Sequence, residues 1–355
     1  MMQRKARSPR SQKRNVSRSR KAMRSKAVVL GCALLFVLAL IAYLRDPEAF
    51  TQGLEAVAQT PAGSVGLQQT GIPSAETESS TFSPSTSAQP ETEFDGALEI
   101  YVLDVGQGDS IFLRAPGGET MLIDAGEAQY FSEIDSFLKE QDVALLDVVV
   151  ATHPHSDHIG GMSQIIETYE IGNFYMPAVT HTTATFEKIL SALEAREITP
   201  TIAYASSHAE IAWDEDVSVR ILSPLEGMDY EDLNDWSIVL NITYGETGIL
   251  LAGDAEAYAE DAMLVSFPAE DFAATVLKLG HHGSSTSTTE AFLSAVSPQI
   301  AIVSAGAGNS YGHPDEETLA LLEAYGVTVC RTDEQGTIHI MLDGKAAEIE
   351  MEKAG

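Results

Sequence analysis

Six consecutive residues constrain this chain more than any others: His153-Pro154-His155-Ser156-Asp157-His158. They follow directly on residues 145–151, a short apolar, valine-rich run that reads as a strand buried on both faces. They precede Gly160-Gly161 and a helical stretch that extends to Tyr169. In extended backbone His153 and His155 point to the same side, and Asp157 and His158 come where the chain turns. Three imidazoles and a carboxylate within six residues make a nitrogen-and-oxygen site for zinc or a similar borderline metal.

The rest of the chain from Ala97 supplies elements around that run. Strands are predicted over 98–104, 110–114 and 120–124, with a Pro116-Gly117-Gly118 turn joining the last two. A helix follows over 130–141. Further strands are predicted near 173–176, 217–222, 237–244, 249–252, 275–279, 300–304 and 328–331. Helices are predicted near 184–196, 257–265, 289–296 and 316–325. Two sheets covered by helices on their outer faces satisfy this mixed α/β order.

Three other strings end strands on residues that do chemistry. Leu250-Leu251-Ala252-Gly253-Asp254 puts a carboxylate at a strand end, where a metal pair can share it. Lys278-Leu279-Gly280-His281-His282-Gly283-Ser284-Ser285 ends a strand on two histidines, one to ligate and its neighbour to meet substrate or hold the loop. Asn309-Ser310-Tyr311-Gly312-His313-Pro314 leaves His313 open between a pocket and a plain loop. His181, His208 and His339 have no partner pattern and are read as surface or packing residues.

Charge divides the chain. Residues 1–26 hold eleven Lys/Arg and no acid. From Asp46 onward nine basic residues face all 52 acidic ones, a net of −43 against −31 for the whole chain. Such a body repels polyanions at long range and argues against a broad nucleic-acid-binding face, while leaving room for local contact with a phosphate through a bound metal. Between the two regions, residues 27–44 are eighteen positions without a charge, long enough to cross a bilayer as a helix. The positive-inside rule places the N-terminus in the cytoplasm and the remainder outside. Residues 45–96, rich in Ser, Thr, Gln, Pro, Ala and Glu, read as a flexible linker. The expected organisation is therefore a basic cytoplasmic tail (1–26), a single transmembrane anchor (27–44), the linker and a catalytic domain (97–355). The two cysteines, Cys32 and Cys330, give no disulfide framework and no thiolate zinc cluster.

Taken together, the strings resemble a metallo-β-lactamase-fold hydrolase, and within that superfamily the hydrolase domain of ComEC-type competence proteins and its stand-alone relatives. The matching pieces are Leu103-Asp-Val-Gly-Gln-Gly-Asp-Ser110, Leu122-Ile-Asp-Ala-Gly126, Thr152-His-Pro-His-Ser-Asp-His-Ile-Gly-Gly161, Ser237-Ile-Val-Leu240, Leu251-Ala-Gly-Asp254, Leu279-Gly-His-His-Gly-Ser284 and Asn309-Ser-Tyr-Gly-His-Pro314. The resemblance implies a four-layer αββα sandwich with two divalent metals, zinc or alternatively manganese, at one edge of the sheets. His153 and His155 would hold the first metal, Asp157 and His158 the second, and Asp254 would bridge them. His281 or His282 would complete the second site. Asp124 would support the ligand loop from behind, and Asp104 and Asp109 would shape the pocket floor. Many members carry a further histidine on the segment before the Gly-Asp strand. Here Asp232-Leu-Asn-Asp-Trp-Ser237 has none, which leaves Asn234 or Asp235 as substitutes.

The reaction class implied is metal-assisted attack of water on phosphorus or a carbonyl carbon. Asp157, with His158, carries the catalysis by orienting the water or accepting its proton. The Gly-Gln-Gly loop and Ser284/Ser285 would offer N–H and O–H donors to a phosphate. The leading expectation is a nuclease or phosphodiesterase outside the cytoplasmic membrane, with a small-molecule or nucleic-acid phosphodiester as substrate and no stable protein partner. An esterase, lactonase or amidase is the enzymatic alternative. A metal- or ligand-binding module without catalysis, held on the membrane tether, is the other.

Overall fold

The computed structural model describes residues 96–206 and 208–353. The expected tail and anchor, nearly all of the linker, and Cys32 lie outside the described residues. Among the described residues no helix is long and apolar enough to cross a membrane. Cys330 is a buried free thiol.

Fourteen strands form two sheets in the described chain. They are β1 (Leu98–Val102), β2 (Ile111–Arg114), β3 (Thr120–Ile123), β4 (Leu145–Val150), β5 (Glu170–Met176), β6 (Thr201–Ile202), β7 (Val217–Ser223), β8 (Val239–Tyr244), β9 (Thr247–Leu251), β10 (Val276–Lys278), β11 (Ile300–Val303), β12 (Thr328–Arg331), β13 (Ile338–Leu342) and β14 (Ala347–Met351). The first sheet has eight strands in the order β14-β13-β1-β2-β3-β4-β5-β6, and the second six in the order β12-β11-β10-β9-β8-β7. Both are mixed. β3 through β6 are parallel neighbours, as are β9 through β12, and the other pairs are antiparallel.

Side-chain alternation builds the layers. In the first sheet Leu98, Ile100, Ile111, Leu113, Met121, Ile123, Val148 and Val150 pack into one cluster with the second sheet's Val219, Ile242, Ile249 and Leu251. Their sequence neighbours Phe112, Leu122 and Val149 face the other way. There they meet α1 (Phe131–Glu140), α3 (Met162–Thr168) and α4 (Ala184–Ala195) through Ile134, Leu138, Ile165, Ile166, Phe186 and Leu193. The short α2 (Ser156–Ile159) lies between α1 and α3 in sequence. The second sheet is covered by α5 (Ala257–Ser266), α6 (Glu290–Val296) and α7 (Glu316–Ala324) through Met263, Phe292 and Leu322. Layers of helix, sheet, sheet and helix result, as the resemblance implies. A short α8 (Thr332–Gln335), β6 and the β13–β14 hairpin are additions that the sequence reading did not include.

One buried acid ties α5 to α6. Glu260 is fully buried, and its carboxylate oxygens accept hydrogen bonds from the backbone N–H groups of Thr288 (2.5 Å) and Thr289 (2.8 Å). Burial pushes its pKa up to about 7, against the pull of those donors. The folded state thus holds this proton more tightly than the unfolded chain does. The group's contribution to stability is complete below the unfolded value of about 4.5 and is lost as pH rises through about 7, by up to about 3 kcal/mol. Glu260→Gln, neutral throughout, should gain on the wild type by that order between pH 5 and 8 in urea titrations. A constant difference would contradict the assignment.

Candidate metal centre

Parallel strands end on the same side, so their C-terminal residues collect there. Asp124 follows β3, Thr152 to His158 follow β4, Asp254 follows β9, and His281-His282 follow β10. Backbone at three of these positions is forced into the left-handed region, with φ of 59° at Asp124, 44° at His281 and 55° at His282. Strain at non-glycine residues is characteristic of sites whose side chains must be aimed. Gly108 is required for a related reason: at φ 131° a Cβ there would lie 2.1 Å from the carbonyl oxygen of Asp157.

Three groups of His and Asp result, the third being Asp109, Asp124 and His158, and two of them make ligand sets around one shared carboxylate. Asp157, His158, Asp254 and His282 bring one donor atom each to within 4.8 Å of one another, and so do His153, His155 and Asp254. Asp254 belongs to both. Its Oδ2 lies 3.2 Å from His158 Nε2, 3.5 Å from His282 Nε2 and 3.7 Å from His153 Nε2. Its backbone N–H donates to Ser237 Oγ at 3.0 Å, while its Oδ1 is buried without a hydrogen-bond partner.

Hydrogen bonds behind the imidazoles aim them. His158 Nδ1 donates to Asp124 Oδ2 at 2.7 Å, and His282 Nδ1 donates to the carbonyl of Ser304 at 2.9 Å. In the neutral rings each Nε2 is therefore a lone pair, yet the two Nε2 atoms face each other at 3.4 Å. His153 Nε2 similarly faces His155 Nδ1 at 3.1 Å. Lone pairs and carboxylates converging on common points, with a buried carboxylate oxygen unpartnered, form a donor arrangement that a divalent cation satisfies. The His and Asp residues present thus fit such an ion.

The protonation of the bare donors follows the same logic. Burial works against charge on His158, but the carboxylates of Asp254 and Asp124 raise it well above the usual imidazole value. Burial also disfavours charge on His282, yet Asp254 and the Asp157 hydrogen bond push it up to about 9. Burial would raise Asp254 and Asp157; the neighbouring imidazoles hold both well below the ordinary carboxylate range. His153, desolvated and next to His158, is held well below its usual value.

Asp124 accepts from Thr152 N–H (2.8 Å), Thr152 Oγ1 (2.6 Å) and His158, and so clamps the loop that carries the histidines. Asp109 is buried at the end of its glycine loop. Its Oδ2 lies 2.5 Å from the ammonium of Lys278, which is itself fully buried and also donates to the carbonyl of Gly253 at 3.3 Å.

Several expected site residues do other work. His281 stands outside both ligand sets, with its Nδ1 2.9 Å from Glu256 Oε1, so of the histidine pair only His282 joins the cluster. Asp235 stands outside both ligand sets, and Asn234 has its Oδ1 buried without a hydrogen-bond partner. Asn234 donates to Glu256, and Asp235 Oδ1 accepts from the N–H groups of Glu256 and Ala259 and caps α5. From that segment it is Ser237 that reaches the centre, 3.3 Å from His153 Nδ1. The Ser284 hydroxyl is engaged with Thr286, and the Ser285 N–H donates to Asp315 at 2.7 Å, which leaves the Ser285 hydroxyl exposed. Asp104 holds the turn of its own loop through Gly106 N–H and pairs with Lys353 rather than lining the pocket floor.

The centre opens into a cleft of about 290 Å³. Besides the ligand residues it is lined by Gln107, Ser156, His281, Tyr311 and His313. His313 therefore belongs to the pocket. His181, read as a surface or packing residue, has its ring centroid 6.4 Å from that of His155.

The sequence reading missed Lys278, Ser237, Glu256 and the carbonyl of Ser304. Only Lys278 carried a signal: a lysine closing an otherwise apolar strand, where a buried charge needs a partner.

Similarity to known proteins converges on the same segment. A family profile described as "Metallo-beta-lactamase superfamily" matches residues 103–307. ComE operon protein 3 of Bacillus subtilis is 33% identical over 257 residues, which are 68% of this chain and 32% of that protein. Competence protein ComA of Neisseria gonorrhoeae is 31% identical over 259 residues, 72% of this chain and 34% of that protein. Recombination protein 2 of Haemophilus influenzae is 28% identical over 247 residues, 68% and 28% of the two chains. The chain thus spans about a third of the length of these curated relatives.

Proposed function

The chain belongs to the metallo-beta-lactamase superfamily and is a metal-dependent hydrolase, and from that premise we propose that it cleaves phosphodiester bonds, as a nuclease or phosphodiesterase acting outside the cytoplasmic membrane. One observation carries this reading: among the described residues no aliphatic side chain lines the cleft, whose walls are His, Asp, Gln, Ser and a single Tyr. Such walls suit a charged, hydrogen-bonding substrate rather than an apolar acyl group. Relatives named for competence and recombination add support for a nucleic-acid substrate.

Two divalent cations, zinc or manganese, held by His153, His155 and Asp254 and by Asp157, His158, His282 and Asp254, would supply Lewis-acid activation of water and charge stabilisation of the phosphoryl oxygens. The remaining roles fall to the chain itself. Asp157 keeps its carboxylate ionised and partly open to the cleft, where it can orient an attacking water. His281 lines the cleft with its Nδ1–H held by Glu256, which leaves the Nε2 lone pair to take up a proton released by the attacking water, and the imidazolium so formed to pass that proton to the departing oxygen. His281→Ala is expected to lower kcat by about 10²–10⁴-fold while metal content, read by elemental analysis, stays at the wild-type level. Loss of metal along with activity would instead make His281 a ligand.

Residues 27–44 would anchor the chain with the N-terminus inside, supported by the eleven cations that precede them. The proposed partners are a small-molecule or nucleic-acid phosphodiester and the membrane itself. The full-length protein in detergent, loaded with manganese or zinc, tests the reading on bis(p-nitrophenyl) phosphate and single-stranded DNA. Turnover of either supports it. Turnover of a lactone or ester with none on phosphodiesters contradicts it.

A further inference from the structure

We propose that Tyr311 determines specificity: its ring stacks on the nucleobase next to the scissile phosphate, so that the site takes strand ends and short oligonucleotides. The inference rests on the phosphodiester reading above and adds a substrate class to it.

Three observations carry it. First, Tyr311 is 69% exposed yet lines the same cleft as the metal centre, so a large aromatic face is presented to whatever enters. His313 backs it, with ring centroids 5.8 Å apart and planes 26° apart, and His313 in turn meets His281 edge-on at 5.4 Å. A base stacked on Tyr311 would be the fourth ring in a row that already leads to the centre.

Second, the platform is held rigid. Asn309 Oδ1 accepts from the backbone N–H groups of Tyr311 (3.2 Å), Gly312 (2.9 Å) and His313 (3.1 Å). Its amide nitrogen donates to the carbonyls of Gly306 (3.0 Å) and His313 (2.6 Å). One side chain thus captures most of the loop's polar backbone, and little ordering remains to be done when a base arrives.

Third, the charge pattern rejects other ways of holding a nucleic acid. No Lys or Arg lines the cleft, and the chain from Asp46 onward carries a net of −43. Proteins that track long strands use a basic groove together with stacking. Among the described residues no such basic side chain lines the cleft, so affinity there has to come from the metal centre at one phosphate and from stacking at one base. A base can reach Tyr311 only when it is unpaired, at a strand end, in a single strand or in a short oligonucleotide.

The test compares a thymidine dinucleotide phosphodiester with the same compound made abasic on one side and then on the other, using manganese-loaded full-length protein in detergent. The wild type should prefer the base-bearing compound over one of the abasic forms by roughly 10–100-fold in kcat/KM, the range of a single base–aromatic stack. That preference should collapse towards one in Tyr311→Ala and persist in Tyr311→Phe. Binding of thymidine 5′-monophosphate should weaken in parallel in the alanine variant only. A preference that survives in Tyr311→Ala, or no preference in an active wild type, overturns the inference and leaves the phosphodiester reading standing. A wild type that cleaves none of the three compounds overturns both.

Discussion

Asp254→Ala should lose bound metal and hydrolytic activity together, with kcat/KM falling at least about a thousandfold, or about 4 kcal/mol of transition-state stabilisation. Asp254 is the one residue common to both ligand sets, and its Oδ2 contacts imidazoles of both. No other described carboxylate belongs to both sets. Asp109 Oδ2 pairs with Lys278, and Asp124 accepts from Thr152 and His158. The variant should still fold, because the backbone N–H of residue 254 keeps Ser237 as acceptor and the buried carboxylate that leaves is one whose Oδ1 had no partner. Elemental analysis and circular dichroism on the same preparation separate the possibilities. A variant that folds and retains full metal content would remove Asp254 from the centre.

Lys278→Met should have the largest effect on stability, about 3–5 kcal/mol. The ammonium is fully buried and is the base nearest Asp109, at 2.5 Å, with His282 at 3.7 Å and His158 at 4.0 Å beyond it. Removing it strands a carboxylate beside His158 and His282, in surroundings that cannot hydrate it. For a domain of this size the loss corresponds to roughly 10 °C in melting temperature. The double variant Lys278→Met/Asp109→Leu should recover much of the loss, since an apolar pair of similar volume replaces a buried ion pair at little cost. If the single variant unfolds within about 1 kcal/mol of the wild type, the pair is not the structural post described here.

Much of this was legible because the informative strings are local. Each ligand string ends a strand, and the apolar runs before His153, Asp254 and His281-His282 locate those ends without knowledge of the pairing. The layers followed from alternation and from the order of elements. What stayed hidden depends on contacts between distant segments. Nothing local separates His281 from His282; the choice is made by Glu256, which takes the first, and by the carbonyl of Ser304, which fixes the second. Asp235 reads as a spare ligand until the N–H groups at the start of α5 are seen to need a cap. Ser284 reads as a phosphate donor until its turn closes on Thr286. The β13–β14 hairpin went unread because its alternation is short and its edge pairing with β1 joins the two ends of the domain. The charge-separated tail and the apolar span at 27–44 were equally plain in sequence, and they lie outside the described residues.

The central claim is a pair of divalent cations bridged by Asp254. Its most direct test is the metal content of the wild-type protein, purified without chelators, exchanged into buffer with zinc or manganese and then freed of loosely held ions. The account predicts about two ions per chain, released together on acidification as the ligands protonate. Fewer than about one ion per chain would contradict it.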